Sequence, residues 1–405
     1  MRPLQGLRVV DLSKVLAGPL CGQSLGELGA DVIKVEPAAG GDDTRGWLPQ
    51  KDGMSATFLA VNHNKKSLAV DLKTKEGRKI VHELVEAADI VLQGFGGGTA
   101  ARLAVDYDTL AKINPRLIYL EVSGYGRTGP LGDQPGYDVM LQAFSGMLST
   151  MGVPGGGLAR ASFSPVDLCT GANGLSGILA ALIERERTGL GMYVEVSLLS
   201  TAMSLMGYMA QNYWVTGKSP VPMGTGHPAL APYQAFVASD APLMIGVGND
   251  AQWRRFCAMA GLEDKVDDPR FVTNKARVDN FDDTVAMVQE KIGREPAAHW
   301  LEQCRAAGIP CAPIHTLEEA LHHPQVIERG LVQKLPHPVL GDMPSVAFPV
   351  RFDSQAPVSR SAPPLLGQDT AAILAEIGYD DADIASLRER GIVTIATPAP
   401  RSPAP

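Results

Sequence analysis

The sequence is poor in the residues and spacings that announce a metal, a membrane or a nucleic acid. It holds five cysteines in 405 residues, at Cys21, Cys169, Cys257, Cys304 and Cys311. Their number is odd and no CxxC pair occurs. That argues against a zinc site and for reduced thiols in a cytoplasm. The eight histidines show no HExxH spacing, so no metal centre is expected. No basic cluster stands out in a chain of net charge −8, which argues against a nucleic-acid partner. No uninterrupted apolar run approaches the ~20 residues of a membrane span. The start, Met1 to Arg8, runs straight into a strand and lacks the apolar core of a signal peptide. These absences together predict a cytoplasmic location and no membrane partner. No internal repeat of fixed period is present.

What remains is an ordinary globular balance, 45% hydrophobic and 20% charged, long enough for two or three domains. Residues 7–36 read as strand, loop, helix, strand: Leu7–Leu12, a turn at Lys14–Pro19, Leu20–Leu28 closed by Gly29, then Ala30–Glu36. That is a βαβ unit, and it predicts a parallel sheet. The first turn carries Ala17-Gly18-Pro19 in place of GxGxxG, so the dinucleotide fingerprint is absent and a nicotinamide oxidoreductase is disfavoured. The pattern repeats through a strand before Leu72-Lys73, a helix from Thr74 to Ala88, Asp89–Leu92 and Ile118–Gly126. Glycine-rich loops follow at Gly40–Trp47 and Gly94–Gly98. Both stand where ligands usually sit in such sheets, or are plain turns. Tyr193–Ser197 is a further strand, and Leu198–Trp214 a Met-rich helix read as core. Gly217–Gly224 reads as a linker.

The fold class expected is α/β, a Rossmann-like large domain plus a smaller α+β domain. The large domain takes residues 1–215 and the small one 225–330. Residues 331–393 return to the large domain, and 394–405 form a Pro/Ala-rich disordered tail.

One acid stands apart. Asp167 follows Ser162–Val166 and precedes a good helix former that runs to Arg187 and is closed by Thr188-Gly189. It therefore sits where a helix begins. A carboxylate there gains from free N–H groups and the helix dipole. Gly171, Ala172 and Gly174 leave room for something to approach the backbone closely. Asp167 is then either an N-cap or a carboxylate nucleophile, already ionised at neutral pH because free Asp has a pKa of about 3.9.

The whole chain resembles the class III coenzyme A transferases, the family of formyl-CoA transferase and crotonobetainyl-CoA:carnitine CoA-transferase. The resemblance rests on Val15–Pro19, Leu28–Glu36, Gly41–Arg45, Asn64–Ser67, Asp71–Lys73, Ser123–Gly126, Gly136–Asp138, the Asp167 helix, Gly224–Pro228 and Leu365–Gln368, in that order. It implies Asp167 as the nucleophile and an interlocked homodimer. It implies coenzyme A, a substrate and not a resident cofactor, lying along Leu16, Ala38, Leu72, Lys73, Gly94, Phe95, Arg102 and Asp167. Tyr137, Trp47, Gly224, Gly226 and His227 are implied to contact substrate or form a lid. Family members often carry Arg near Pro37-Ala38 and Asn-Phe where Gly94-Phe95 stands here.

The implied reaction passes CoA from an acyl-CoA, succinyl-CoA or another short or dicarboxylic donor, to an acceptor acid through aspartyl anhydride and aspartyl-CoA thioester. The attacking groups are already anions, so no base is required; N–H donors must hold the oxyanion. Amides near Asp167 and along Gly224–Gly226 are the donors expected. Arg45, Lys65 and Arg160 are candidates to pair with a distal carboxylate. A 2-methylacyl-CoA racemase is the nearest rival, but it needs an acid–base pair, and this chain has Tyr137 where His would stand. A non-catalytic acyl-CoA binding module is the other.

Overall fold

A computed structural model places residues 2–132, 134–357 and 359–396. The chain forms two compact units. The first comprises Met1–Met147, Ala161–Gln211 and Pro324–Pro405, and the second Leu148–Arg160 with Asn212–His323. The short piece Leu148–Arg160 belongs with the second unit, a crossing that the linear reading of residues 1–215 as one block does not contain.

The first unit is built on a sheet of six parallel strands: β1 (Arg8–Leu12), β2 (Asp31–Glu36), β3 (Lys65–Val70), β4 (Ile90–Gln93), β5 (Ile118–Ser123) and β6 (Met192–Ser197). They lie in the order 3-2-1-4-5-6, and the short strand Val393–Thr394 adds antiparallel to the β3 edge. The apolar runs Val9-Val10, Val32-Ile33 and Ile90-Val91-Leu92 are fully buried, as strands covered on both faces must be. The order reverses between β1 and β4. In an open α/β sheet the crevice outside the carboxyl ends at that reversal is where ligands bind. Thr394, assigned from sequence to a disordered tail, pairs with Ala69, and its Oγ1 donates to the Ala38 carbonyl at 2.7 Å. The rest of that tail, 397–405, lies outside the described residues.

Three helices place the chemistry. Helix α1 spans Ala17–Glu27, α2 Asp138–Phe144 and α3 Pro165–Thr188. Helix α1 starts three residues earlier than its sequence suggests, because Pro19 falls in the first turn, where its missing N–H is not needed. Helix α3 is 24 residues long and apolar enough to cross a membrane by length and composition. Here it packs along α1 and on β5 and β6. The packing depends on two glycines. A Cβ at Gly171 would stand 2.7 Å from the Ala17 carbonyl oxygen, and one at Gly174 would stand 2.8 Å from Leu120 Cδ2. The close approach read from these small residues is therefore that of α1, and it brings the starts of α1 and α3 together.

The expected helix Leu198–Trp214 is broken into Leu198–Leu205 and Gly207–Thr216 around Met206. Only its first half is core, through Leu198 and Ala202; Met203, Leu205, Tyr208 and Trp214 are exposed. The second unit holds a three-stranded antiparallel sheet of Tyr233–Val237, Pro242–Gly246 and Cys311–Pro313, with helices packed over Phe236, Ile245, Trp253 and Phe256.

Candidate active site

The loop leaving β1 is held from below by buried charges. Asp11, Lys34, Glu36, Asp42 and Lys65 are all buried. Lys34 Nζ lies 2.8 Å from Asp42 Oδ2 and donates to the Ser13 carbonyl at 3.1 Å. Asp42 Oδ1 accepts from the Val15 and Thr44 amides. Lys65 Nζ is shared among Asp11 Oδ2, the Pro19 carbonyl and Asn62 Oδ1, all within 2.9 Å. Burial would push Asp42 and Glu36 up and Lys34 down. The opposite charges outweigh it, holding both carboxyls below their usual range and Lys34 above its own. Burial dominates at Lys65 and brings it down to about 8. This scaffold keeps Val15 at φ 70, a strained angle for a β-branched residue. Sequence reasoning missed the network. Its signal was charge inside buried strands, Asp11 after Val9-Val10 and Lys34 after Val32-Ile33, which survives burial only when paired.

Two of the expected carboxylate partners are thereby excluded. Lys65 is saturated. Arg45 gives Nε and Nη2 to the two oxygens of Glu36, both at 2.7 Å, and its guanidinium lies 3.7 Å from the Phe58 ring centroid. Arg160 is exposed in the second unit.

Above the network, at the β1/β4 reversal, a cavity of about 250 Å³ opens. Its walls come from the loops after β1, β4 and β5. Val15–Gly18, Gly94–Gly96, Ser123-Gly124 and Gly136-Tyr137 line it, with Asp167 in its wall. Gly124 and Gly136 cross so closely that a Cβ on Gly124 would meet the Gly136 nitrogen at 2.7 Å. A second cavity of about 390 Å³ shares Lys14 and Phe95 with the first and continues over the ends of β2 and β3. Pro37, Leu72, Lys73, Thr99 and Arg102 line it. Of the residues singled out from sequence, Leu16, Gly94, Tyr137 and Asp167 thus meet in the first cavity. Leu72, Lys73 and Arg102 meet in the second, and Phe95 belongs to both. Ala38 and Trp47 line neither. Gly224, Gly226 and His227 lie in the second unit.

Asp167 does not cap its helix. Helix α3 begins at Pro165, with Ser164 as N-cap at φ 54 and no side-chain bond of its own. The cap comes from α2: Asp138 Oδ2 accepts the Val166 and Asp167 amides at 2.8 and 3.1 Å. Gln142, one turn along α2, donates to the other oxygen of Asp138. With its amide taken by Asp138, Asp167 is left with a carboxylate to which no described residue donates. Burial and the neighbouring Asp138 charge push it up to about 7. The expectation of a free-acid value near 3.9 is corrected accordingly. Four of the amides expected to hold an oxyanion are also committed. Val166 and Asp167 serve Asp138, and in the second unit Gly224 donates to Gly152 and Gly226 to Met223. The start of α1 is the exception. Leu16–Gly18 line the Asp167 cavity, and α1 has no side-chain cap.

A buried carboxylate of raised pKa, lining a cavity with no donor to it among the described residues and standing beside an uncapped helix start, can act as a nucleophile toward a polarised carbonyl. The comparisons agree in kind. The family model for CoA-transferase family III matches residues 4–370. The chain is 36% identical to succinyl-CoA:glutarate CoA-transferase of Homo sapiens, over 97% of this chain and 90% of that one. It is 38% identical to succinate–glutarate CoA-transferase of Agrobacterium fabrum, over 93% of this chain and 96% of the relative. A CaiB/BaiF family protein from Brucella suis superposes with a TM-score of 0.82 at 37% identity, covering 93% of this chain and 99% of that one. The mixed α/β architecture with its large parallel sheet is that of these structures. The chain belongs to CoA-transferase family III, enzymes that move coenzyme A between acyl-CoA thioesters and carboxylic acids.

Proposed function

We propose that Asp167 is the nucleophile of this transfer and that the two joined cavities carry the acyl-CoA. The nucleotide end lies along Leu72, Lys73 and Arg102, the pantetheine passes Phe95, and the thioester stands at Asp167. The Asp167 carboxylate attacks the thioester carbonyl and expels CoA thiolate, leaving an acyl–aspartyl anhydride. The thiolate attacks the aspartyl carbonyl, the donor acid leaves, and Asp167 holds CoA as a thioester. The acceptor carboxylate attacks that thioester, re-forms an anhydride and frees the thiolate. The thiolate then takes the acceptor acyl group and restores Asp167. Each attacking group is an anion and no proton is consumed. The uncapped start of α1 at Leu16–Gly18 supplies the amides for the developing oxyanion. The acids are short dicarboxylates, as are the substrates for which both relatives are named.

The working form is a homodimer. Met140, Phe144, Met203 and Tyr208 of the first unit, and Trp214 and Val215 of the second, are exposed apolar side chains that a monomer would leave in water.

The observation that carries the reading is the Asp167 carboxylate itself, in the cavity and without a hydrogen-bond donor among the described residues. The test is covalent capture. The protein is mixed with succinyl-CoA and no acceptor, quenched and digested. Mass spectrometry then finds CoA on the peptide holding Asp167, and hydroxylamine converts that residue to the hydroxamate. A label on another carboxylate, or none while transfer proceeds, overturns the assignment.

A further inference from the structure

The loop Gly94–Gly96 stands between the two cavities; its two glycines contribute no side chain, and Phe95 packs against the core of the first unit. Its backbone is held as well. Phe95 N donates to Gln93 Oε1 at 2.7 Å, and the Phe95 carbonyl accepts from Arg127 Nη2 at 2.6 Å. Both faces of one residue's backbone are thus fixed by side chains, one from the strand before the loop and one from the loop after β5.

Arg127 is fixed in turn. Its Nε donates to Glu121 Oε1, and its backbone amide donates to Glu195 Oε1 at 3.0 Å. Glu121 Oε2 accepts from the Tyr193 hydroxyl at 3.0 Å. Strand register explains why these groups meet. Gln93 pairs with Glu121, and Glu121 with Glu195, so the three stand in one row across β4, β5 and β6 at the carboxyl edge. Tyr193 stacks on Tyr119 at 6.2 Å, which fixes its ring. Burial and the Glu121 charge push the Tyr193 hydroxyl above its ordinary range, so it stays a donor. The arrangement has a cost: Gln93 Nε2 is buried with no partner among the described residues, because Gln93 spends its oxygen on Phe95.

We propose that Arg127 is a positioning residue for coenzyme A, holding the Phe95 loop in its binding shape before the ligand arrives. Tyr193 and Glu121 act through it. The inference rests on the reading above only in that the ligand is coenzyme A. A glycine loop ordered in advance does not have to be ordered on binding, so the clamp lowers the dissociation constant. Arg is required over Lys because one planar fork must reach Glu121 and the Phe95 carbonyl together.

The experiment measures CoA binding by titration calorimetry on the full chain, and separately the rate at which saturating succinyl-CoA loads Asp167. In Arg127→Lys the CoA dissociation constant rises about tenfold, and in Tyr193→Phe about twofold to threefold, on the scale of one lost charge-assisted or neutral hydrogen bond. Loading at saturation stays within about threefold of the parent, the signature of lost binding without lost chemistry. In Arg127→Ala, guanidinium ion added at millimolar concentration restores part of the affinity, which a general loss of folding would not allow. Unchanged CoA affinity in a folded Arg127→Lys overturns the proposal, as does slower loading at saturation with affinity intact. Arg127 also lines the first cavity, so a loss in Arg127→Lys alone would equally report a direct contact; unchanged affinity in Tyr193→Phe, a residue that lines neither cavity, therefore overturns the proposal whether or not Arg127→Lys folds. Because binding is read directly, a parent protein that binds CoA but never loads Asp167 counts against the nucleophile assignment and leaves this one standing.

Discussion

Asp167 and Asp138 divide between them two roles that a single helix-start acid could have played. Asp138 caps, and Asp167 is left with a free carboxylate. Asp167→Asn therefore removes no cap. Folding is retained, and transfer falls by at least about a thousandfold, since an amide is not a nucleophile. The raised pKa gives this substitution a second, independent signature. In the folded chain Asp167 stays protonated up to about 7, while the unfolded chain ionises near the ordinary carboxyl value. Between those values the native state binds the extra proton, so the parent loses stability as pH rises through that window. Asp167→Asn abolishes the loss. Chemical denaturation at pH 8 should find it more stable than the parent, by at most about 4 kcal/mol and by less where the open cavity screens the charge. At pH 4 the two should nearly coincide. For the parent, kcat/KM rises with pH and levels above about 7, as the nucleophile ionises. Tyr137 lines the same cavity. Tyr137→Phe keeps part of the transfer activity, and the parent incorporates no deuterium at the α-carbon of a 2-methylacyl-CoA. Incorporation at an enzymatic rate would favour racemisation.

At the scale of elements, the site exists because α3 can lie against α1. Gly171 sets that distance, with the Ala17 carbonyl where a side chain would begin. Gly171→Val forces the helices apart and costs about 1–3 kcal/mol. It also moves Asp167 relative to Leu16–Gly18, so transfer should fall far more than the melting temperature suggests. A variant with parent-like transfer would show that the start of α1 takes no part. The element boundaries read from sequence were sound where caps and periodicity agreed. They failed at Ala17, where Pro19 imitates a stop signal, and at Met206, where a continuous apolar pattern hides a break. The buried ion network under the cavity was invisible for a related reason. Its members lie far apart in the chain: strand register pairs Lys34 with Asp11, and only the loop after the second strand brings Asp42 back onto Lys34.

At the scale of the whole molecule, the exposed apolar side chains of both units call for a partner surface, and the proposal supplies a second copy of the chain. Light scattering at micromolar concentration and below should give twice the mass of one chain without dissociation on dilution. A monomer overturns the dimer and leaves the Asp167 chemistry to be judged by its own test.

By itself the sequence determined the repeating βαβ plan, the family resemblance, and a lone acid at the head of a long helix. These rest on local patterns: apolar strands, glycine loops, a helix-forming run after Asp167. The family resemblance also implied Leu72, Lys73, Phe95 and Arg102 as coenzyme A contacts, and the fold brings these four to the wall of one cavity. Only the tertiary structure decided what each charged group does. Arg45 and Lys65 turned out to be bound inside the protein, Asp138 to be the cap, and Arg127 to hold a loop thirty-odd positions away in the chain. Such roles depend on which side chains meet across strands and between helix starts. Register and close packing settle that, and neither is written in any local run of residues.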